Sequence, residues 1–380
     1  MMFAAALAVA AATVTVSNTV DVARTETVSA TWKELGVKSS SVNLRVVDAA
    51  TGKAVPHQND AAGDDLLFSV DLKGLESRSF KVFVDKSGKV PPADLSVVCW
   101  CGYIPERMDD FAGENDRFGA RAYGQAIMQP RPKGQGLISS GIDIFNKCVS
   151  YPLLEKWLRY RAKGAPAYHK NSGEGMDCYL VGVARGCGGV GARNGQGQWL
   201  YSANWAESKV MQIGPVRCEF ELVYEAWGGF GRETRHVVLD RGQSLAKMTA
   251  AFDSLADGVL VGPGLDVAPE RKHGGDIAKS ENEGWIAAFE PEDPTDGSLM
   301  TAIALGPESM PATIGTDGTG CIYLLARPAA ETKAVTYYTG ANWTGQKRFV
   351  QAADWHRYVK DFSYCLRNPV KVSVSRDAVK

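Results

Sequence analysis

Short runs in which apolar and polar residues alternate recur along almost the whole chain, and they constrain the fold more than any other feature. Val42, Leu44 and Val46 alternate with polar neighbours in SVNLRVVD, and Phe220 and Leu222 lie between glutamates in CEFELVYE. Because successive side chains of a β-strand point to opposite faces, this alternation predicts half-buried strands. Gly, Pro and Asp separate the runs, as expected for turns between antiparallel strands. The sequence therefore predicts a mainly β fold with large antiparallel sheets and a few helices.

The runs fall into two groups, which predicts two domains. Those in residues 13–92 are short and closely spaced, as in a small antiparallel β-sandwich, and KSGKVPP at residues 86–92 is the expected linker. Residues 93–380 form a longer β-domain that also contains two amphipathic helical patterns, SYPLLEKWLRYRAKG and AADWHRYVKDFSYCLRNP. The apolar stripe of the second pattern indicates core packing rather than a ligand surface.

The N-terminal segment and the composition indicate where the protein works. Residues 1–12, MMFAAALAVAAA, are typical of the apolar part and small-residue cleavage site of a signal peptide, so we expect a secreted or periplasmic protein. No later segment approaches the roughly 20 apolar residues that a membrane span requires. The formal net charge of −1 argues against a nucleic-acid partner. The eight cysteines suit an oxidising compartment, but their spacing forms no zinc motif and identifies no disulfide.

Residues 105–124, PERMDDFAGENDRFGARAYG, are the first segment whose composition indicates chemistry. Acids and arginines are interleaved there with aromatic and apolar side chains, without the period of a strand or of a helix. Such a segment is either a salt-bridged surface turn or part of a site, and both interpretations stay open. Its candidate site residues are Glu106, Arg107, Asp109, Asp110, Asn115 and Arg117.

Residues 168–191, YHKNSGEGMDCYLVGVARGCGGVG, are the second such segment. Histidine is the side chain best suited to exchange protons near neutral pH, and His169 follows Tyr168 directly. The many glycines allow tight turns or a close approach of the backbone to a ligand. Neither GxxxxGK[ST] nor GxGxxG after a clear strand occurs, so nucleotide binding is not expected. The candidate site residues are Tyr168, His169, Glu174, Asp177, Tyr179 and Arg185.

Three residues outside these segments are further candidates. Asp143 stands alone between the apolar residues of GIDIF, where an acid must be paired or functional. His236, in ETRHVVLD, either lines a cleft or fills a core, and His273, in PERKHGGD, lies in a loop that can reach a ligand. No HxH or HExxH spacing supports a metal site, so no cofactor is expected, although a divalent metal stays open.

The two dense segments resemble the DUF4861 family of secreted bacterial proteins, a domain of unknown function. The resemblance rests on PERMDDFA and ENDR in the first segment, SGID at residues 140–143, YH and GEGMD in the second segment, and RGCGG at residues 185–189. It covers nearly the whole chain after the signal segment. Gly113 stands where the family is expected to have Trp, and Cys178 where it is expected to have an aromatic residue. The first difference would open the site or alter a sugar-stacking surface.

The resemblance implies a galactose-mutarotase-like β-supersandwich, a fold that several polysaccharide lyases share. It also implies a carbohydrate-active enzyme that acts on uronic-acid-containing oligosaccharides or polysaccharides by β-elimination, as a lyase or as an oligosaccharide dehydratase. In this reaction a base removes the proton on carbon 5, an acid protonates the oxygen on carbon 4, and a cation neutralises the carboxylate.

The candidate residues supply each of these groups. The expected roles are base for His169, acid for Tyr168 or Tyr179, and carboxylate ligand for Arg107, Arg117 or Arg185. Asn115 is expected to assist the arginines at the carboxylate, and the acids Glu106, Asp109 and Asp110 are expected to orient the arginines or to bind sugar hydroxyls. The other expected substrate-binding residues are Asp143, Glu174, Asp177, His236 and His273.

Two other functions remain open at this point. A glycoside hydrolase or epimerase would use paired carboxylates, for which Glu106, Asp110, Glu174 and Asp177 are the candidates. A non-catalytic carbohydrate-binding protein would use surface tryptophans, and the nine tryptophans suit either a sugar cleft or an ordinary core. In all three cases the expected partner is a glycan.

Overall fold

The computed structural model describes residues 10–37, 44–85, 90, 92–160 and 168–376. These residues form mainly strands, which confirms the predicted fold class. Residues 1–9 of the expected signal segment, and residues 86–89 and 91 of the expected linker, lie outside the described residues. In the part of the chain that is described, no helix is long and apolar enough to cross a membrane.

Strands are the main secondary structure of the chain. In chain order they are β1 (Ala12–Ser17), β2 (Arg24–Thr31), β3 (Leu44–Asp48), β4 (His57–Asn59), β5 (Asp65–Leu72), β6 (Ser77–Val84), β7 (Trp100–Ile104), β8 (Asp110–Glu114), β9 (Phe118–Ala122), β10 (Ile142–Lys147), β11 (Gly175–Met176), β12 (Cys187–Arg193), β13 (Trp199–Leu200), β14 (Glu207–Gln212), β15 (Arg217–Tyr224), β16 (Glu233–Asp240), β17 (Ala246–Phe252), β18 (Leu260–Asp266), β19 (Asp276–Ser280), β20 (Trp285–Phe289), β21 (Leu299–Leu305), β22 (Thr313–Thr316), β23 (Cys321–Leu325), β24 (Ala334–Trp343) and β25 (Lys371–Arg376). The α-helices are α1 (Trp32–Leu35), α2 (Leu154–Arg159) and α3 (Ala352–Arg367).

The chain divides into two compact units. The smaller comprises Met1–Val97, Gly214–Arg217 and Asn368–Lys380, and the larger comprises Val98–Ile213 and Cys218–Arg367. In the smaller unit, the sheets β25-β1-β6-β3 and β2-β5-β4 share a core that includes Val14, Phe68 and Phe80. The sequence grouped the last segment with the larger domain, but β25 pairs antiparallel with β1 and adds a strand to the smaller unit.

The larger unit is built from two layers of antiparallel strands. One layer is the eight-stranded sheet β14-β15-β16-β17-β24-β21-β20-β19. The other consists of the sheets β11-β10-β9-β8-β7 and β13-β12-β18-β23-β22, which are joined by a bridge between Ile142 and Gly186. Alternate residues of both layers, such as Phe111 and Phe220, meet in one large core. This arrangement agrees with the β-supersandwich that the resemblance implies.

Both predicted helices occur in the larger unit, and both bury their apolar faces. In α3, Trp355 and Val359 are fully buried, and Trp355 Nε1 donates to the carbonyl of Thr301 at 3.1 Å. The second helical pattern is therefore a core-packing helix, as predicted. The first pattern forms only the short helix α2, whose Leu154 and Trp157 are buried. Residues 161–167 of that pattern lie outside the described residues.

Helix α2 covers the outer face of the β7–β11 sheet, the face that points away from the large core. Trp157 packs there against Phe145 and Tyr168, with ring centroids 6.3 and 6.4 Å away. The N-terminus of the helix is held by Glu114, whose Oε1 accepts the N–H groups of Leu153 and Leu154. The buried Lys147 neutralises this carboxylate. A satisfied ion pair thus anchors the helix to the sheet.

Candidate functional site

The antiparallel register brings charged residues from both sequence segments to the same outer face. Arg121 on β9 lies opposite Asp143 on β10 and opposite Ala112 on β8. Asp110 lies two residues before Ala112 and therefore points to the same side. Phe111, which alternates with them, enters the large core on the opposite side. The two acids and the arginine consequently meet above the sheet.

Arg121 is enclosed by these carboxylates. Its Nη2 donates to Oδ2 of Asp143, and its Nη1 lies 3.4 Å from Oδ2 of Asp110. All three side chains are buried. Burial raises the pKa of Asp110 to about 6 and raises the pKa of Asp143 as well, because the attraction to Arg121 offsets only part of the desolvation penalty. Burial also opposes the charge of Arg121, but Asp143 and Asp110 hold its pKa above the usual range.

His169 lies at the exposed edge of this charged group, beside Asp177. Its Nδ1 is 3.5 Å from Oδ2 of Asp177, and its side chain is 54% exposed. Asp177 itself is buried, and its Oδ1 accepts the N–H of Tyr179 at 3.3 Å. Burial and, after it, the charge of Asp143 raise the pKa of Asp177 well above its usual range. The arrangement can orient the imidazole ring while one side of it faces solvent.

Arg107 reaches the same group from the turn before β8. Its Nε donates to the hydroxyl of Tyr168 at 3.3 Å, and its charge lowers the pKa values of Asp110 and Asp143 against the larger effect of burial. The turn requires left-handed backbone at Met108 and Asp109, with φ of 57° and 65°. Left-handed backbone in residues other than glycine costs energy, so the surrounding structure must hold this turn in place.

These side chains form one assembly, which we call the outer-face cluster. Its members are Arg107, Asp110, Arg121, Asp143, Tyr168, His169 and Asp177. It contains three carboxylates, two guanidinium groups and one exposed histidine. The structure therefore brings together the expected base, one expected acid and one expected carboxylate ligand.

Three other predicted residues are engaged in pairs near the surface. Glu106 forms an ion pair with Arg159 at 3.0 Å. The two oxygens of the Asp109 carboxylate accept the hydroxyl of Tyr103 and the N–H of Ala126. Glu174 accepts from Lys156 and Tyr151, and its hydrogen bond to Lys156 lowers its pKa. These pairs border the segments that carry the cluster and hold them in place.

Asn115 and Arg117 do not join the cluster in the structure. The amide nitrogen of Asn115 donates to the carbonyls of Asp240 and Gln243 at 2.7 and 2.8 Å. Its Oδ1 accepts the N–H groups of Arg117 and Phe118, which shapes the turn between β8 and β9. Both hydrogen-bonding ends of the Asn115 side chain thus serve the fold. The predicted role of Asn115 in carboxylate binding receives no geometric support.

Tyr179 and His273 form a separate, buried group. Their rings lie 4.3 Å apart, and His273 contacts Oε1 of Glu290 at 2.6 Å and the carbonyl of Leu180 at 2.7 Å. Burial opposes the charge of His273, but Glu290 holds its pKa above the usual value. Burial raises the pKa of Tyr179 well above its usual range. This tyrosine is therefore poorly placed to act as the acid of a reaction at His169.

His236 lies in the other layer of the larger unit. On β16 its neighbours Arg235 and Val237 point inward, so His236 points to the outer face of the eight-stranded sheet. There its Nε2 contacts Oε1 of Glu219 at 2.6 Å. The predicted cleft-lining histidine is consequently separated from the outer-face cluster by the large core.

Arg185 lies beyond the cluster, next to the second five-stranded sheet. Its Nη1 donates to Oγ of Ser140 at 2.6 Å and its Nη2 to the carbonyl of Val183 at 2.7 Å. Its guanidinium carbon is 4.8 Å from the ring centroid of Tyr201. The structure therefore assigns Arg107 and Arg185 to different places, although the sequence proposed both for one carboxylate.

Sequence reasoning missed Arg121, the residue that organises the cluster. The signal was present, because a charged residue between the alanines of GARAYG is as exceptional as the lone acid in GIDIF. Two isolated opposite charges in strand-like runs predict a buried pair.

All eight cysteines are described, and they occur as thiols. Among the described residues, no three His, Cys, Asp or Glu side chains are grouped so that they could hold a metal ion.

Comparison with known proteins agrees with the sequence resemblance. Residues 16–372 match the family described as "Domain of unknown function (DUF4861)". The chain belongs to this family. Uncharacterized protein P7 of Formosa agariphila is 30% identical to this DUF4861 protein over 378 residues, which are 95% of this chain and 93% of that protein.

Two solved structures are similar to this DUF4861 protein. An alpha-mannosidase from Enterococcus faecalis V583 matches 97% of the chain with a TM-score of 0.50 and 10% sequence identity. A protein in the Glycosyl Hydrolase Family 38 from Enterococcus faecalis matches 96% of the chain with a TM-score of 0.48 and 10% identity. The matches cover 46% and 47% of those chains, so this chain spans about half of their length.

Proposed function

We propose that this protein is a secreted carbohydrate-active enzyme that cleaves or dehydrates uronic-acid-containing glycans by β-elimination. The observation that carries the proposal is the outer-face cluster, in which the exposed His169 lies 3.5 Å from Asp177 and packs against Tyr168, whose hydroxyl contacts Arg107. A base and a carboxylate ligand are the two groups that proton removal next to a carboxylate requires. The shared fold with an alpha-mannosidase is in keeping with a protein that handles sugars.

His169 is the catalytic base in this proposal. It takes the proton from carbon 5, the electrons of that bond form the carbon 4–carbon 5 double bond, and the oxygen on carbon 4 leaves with its bonding electrons. Protonated His169 then returns the proton to this oxygen. A single residue can serve as base and acid when both groups leave from the same side of the ring. The backbone carbonyl of Asp177, 3.3 Å from Nδ1, accepts a hydrogen bond from the imidazolium that forms in between.

Arg107 is the proposed carboxylate ligand. A guanidinium matches a carboxylate with two parallel hydrogen bonds, and neutralising the carboxylate stabilises the negative charge that develops at carbon 5. Tyr168 is only 1% exposed, so it is not placed to touch a sugar. Its hydroxyl contacts Nε of Arg107, and it therefore acts as a positioning residue.

Hydrolysis fits the geometry less well. A hydrolase needs two carboxylates that flank one glycosidic bond and can reach it. Asp110 and Asp143 are buried against Arg121, and Asp177 is buried behind His169. The exposed Glu106 and the partly buried Glu174 are paired with Arg159 and Lys156. These acids are therefore partners in charged contacts rather than an exposed pair of catalytic carboxylates.

The decisive experiment follows ultraviolet absorbance while the protein is incubated with uronate oligosaccharides. We expect a new absorbance from the conjugated double bond, and His169→Ala should lower turnover by about 100- to 10,000-fold. His356→Ala is the matched control, since this histidine lies on α3, outside the outer-face cluster, and contacts the carbonyl of Asp276 at 3.2 Å. Chain length separates a lyase from a dehydratase. New reducing ends without absorbance would refute elimination, and normal turnover by His169→Ala would refute the role of His169.

A further inference from the structure

An aromatic surface lies on the outer face of the sheet β13-β12-β18-β23-β22. The rings of Trp199 and Tyr201 are nearly parallel, at 7°, with centroids 6.4 Å apart, and Trp199 also packs against Tyr323 at 4.3 Å. Tyr201 is 36% exposed. Asp317 fixes the tyrosines, because its Oδ2 accepts both hydroxyls, at 2.8 and 2.7 Å. Trp199, Tyr201 and Tyr323 form a rigid aromatic surface, which we call the platform, and the partly exposed ring of Tyr201 suits the C–H face of a sugar ring.

Glycines make room for this platform. A Cβ atom at Gly191 would lie 2.7 Å from the Tyr323 ring and 3.2 Å from the Tyr201 ring. A Cβ atom at Gly264 would lie 2.7 Å from the Tyr323 ring and 3.0 Å from Cβ of Arg185. Any larger residue would push the rings and the arginine away from the sheet. The surface is therefore a built feature of these strands rather than a chance grouping of aromatic residues.

Arg185 adds a positive charge to the platform, and no carboxylate in the described part of the chain forms an ion pair with it. Only 5% of the residue is exposed, and its hydrogen-bond acceptors, Ser140 Oγ and the Val183 carbonyl, are neutral. Among the described residues it forms no ion pair, in contrast to Arg121, Arg235 and Arg271. A buried charge without a counterion is unfavourable unless a ligand supplies one. An anionic ligand would supply this counterion.

The platform lies next to the outer-face cluster. The N–H of Ile142 donates to the carbonyl of Arg185 at 3.2 Å, and Gly186 bridges to Ile142. Ile142 directly precedes Asp143, the buried acid of the cluster. Tyr323 pairs with Gly264 on β18, whereas the neighbouring Leu265 enters the large core. The platform and the cluster therefore share the outer face of the joined sheets.

We propose that Arg185, Tyr201 and Trp199 form a second glycan subsite that selects an acidic sugar through a carboxylate or a sulfate group. The inference deepens the proposed function and rests on it only in that the same glycan would reach both places. Tyr201 and Trp199 contact the ring of the sugar, and Arg185 binds its anionic group. The subsite determines which glycan is held and takes no part in proton transfer.

The test measures equilibrium binding by calorimetry in the His169→Ala background, where turnover does not interfere. Three size-matched oligosaccharides serve as probes: a non-sulfated uronate oligosaccharide, a sulfated oligosaccharide without carboxylates, and a neutral one made by carboxyl reduction. We expect Arg185→Gln to weaken binding of one or both acidic probes by about 10- to 100-fold, and to change binding of the neutral probe by less than about threefold. The probe whose binding is weakened shows whether the subsite binds a carboxylate or a sulfate group.

A second variant covers the case in which Arg185→Gln does not fold. Tyr201→Ala alters a partly exposed ring, and we expect it to weaken all probes by roughly 2- to 10-fold. Equal weakening of acidic and neutral probes by Arg185→Gln would overturn the subsite, and so would unchanged binding by Tyr201→Ala. Charge-selective binding without any new absorbance in the unsubstituted protein would overturn elimination and leave the subsite standing. New absorbance together with binding that does not depend on the charge of the probe would support elimination and overturn the subsite.

Discussion

Asp110→Asn is the substitution that most directly tests the electrostatic description of the outer-face cluster. Burial raises the pKa of Asp110 from 3.8 to about 6, although Arg121 and Arg107 attract its charge. The folded protein therefore holds this proton to a higher pH than the unfolded chain does. Since the folded state binds more protons in this interval, the free energy of unfolding falls as the pH rises through it.

The size of the effect follows from the two pKa values. They differ by about two units, and each unit corresponds to about 1.4 kcal/mol. The ionised carboxylate thus lowers the free energy of unfolding by roughly 3 kcal/mol above pH 7 and by almost nothing at pH 4. Asparagine is uncharged and nearly isosteric with the protonated acid, and Asp143 still neutralises Arg121. We therefore expect Asp110→Asn to stabilise the protein by roughly 3 kcal/mol at pH 7.5 and to be neutral at pH 4.

Urea unfolding followed by tryptophan fluorescence at pH 4, 5.5 and 7.5 measures this dependence. Asp257→Asn, at an exposed turn position, is the control and should change stability by less than about 0.5 kcal/mol at each pH. The same gain at pH 4 and pH 7.5 would show that Asp110 does not carry a raised pKa. A loss of stability at pH 7.5 would show that its attraction to Arg121 outweighs the desolvation penalty.

Two further substitutions test the fold around the site. Lys147→Met leaves the buried Glu114 carboxylate without its cation, and we expect a loss of about 3–5 kcal/mol in urea unfolding at pH 7. Burial already raises the pKa of Glu114, so this loss should shrink toward pH 5, and a loss that does not depend on pH would contradict the pairing. Gly186→Ala places a Cβ atom 2.1 Å from the carbonyl oxygen of Ile142 at a φ of +58°. We expect the free energy of unfolding to fall by more than about 2 kcal/mol in the same assay. An unchanged unfolding midpoint would show that the backbone at the bridge between the sheets shifts to accommodate the methyl group.

The sequence predicted the class of the fold because alternation is a local property. The runs in CEFELVYE and MTAIALG became β15 and β21, and the last helical pattern became α3. The pairing of distant strands is not local. The final segment joined β1, more than 350 residues away, because Val374 and Val14 are cross-strand partners and Val14 is fully buried in the smaller core. Alternation within one strand contains no information about such a partner.

The candidate site was predictable to the extent that its residues lie in unusual segments. His169, Asp177, Arg107 and Asp110 stood out by composition, and the structure brings them together. The interpretation of Gly113 was wrong. This residue faces the core, where a Cβ atom would lie 2.8 Å from the Phe220 ring, so its small size permits close packing of the two layers and does not open the site. Whether a residue of β8 faces the core or the outer side of the sheet depends on the register of this strand, and the sequence of the segment alone does not specify that register.

The two charged groups on the outer face of the β7–β11 sheet differ in a way that separates structure from function. Glu114 and Lys147 balance each other in charge, and backbone groups at the start of α2 and nearby loops complete their hydrogen bonds. The outer-face cluster has three carboxylates for Arg107 and Arg121, raised pKa values and, within the described residues, a buried Nη1 of Arg107 that lacks a hydrogen-bond partner. In a network that serves only stability, we expect the charges to balance and the hydrogen bonds to be complete, as they are around Glu114 and Lys147. Buried polar groups without partners beside an exposed histidine support the proposal that a ligand binds at this cluster.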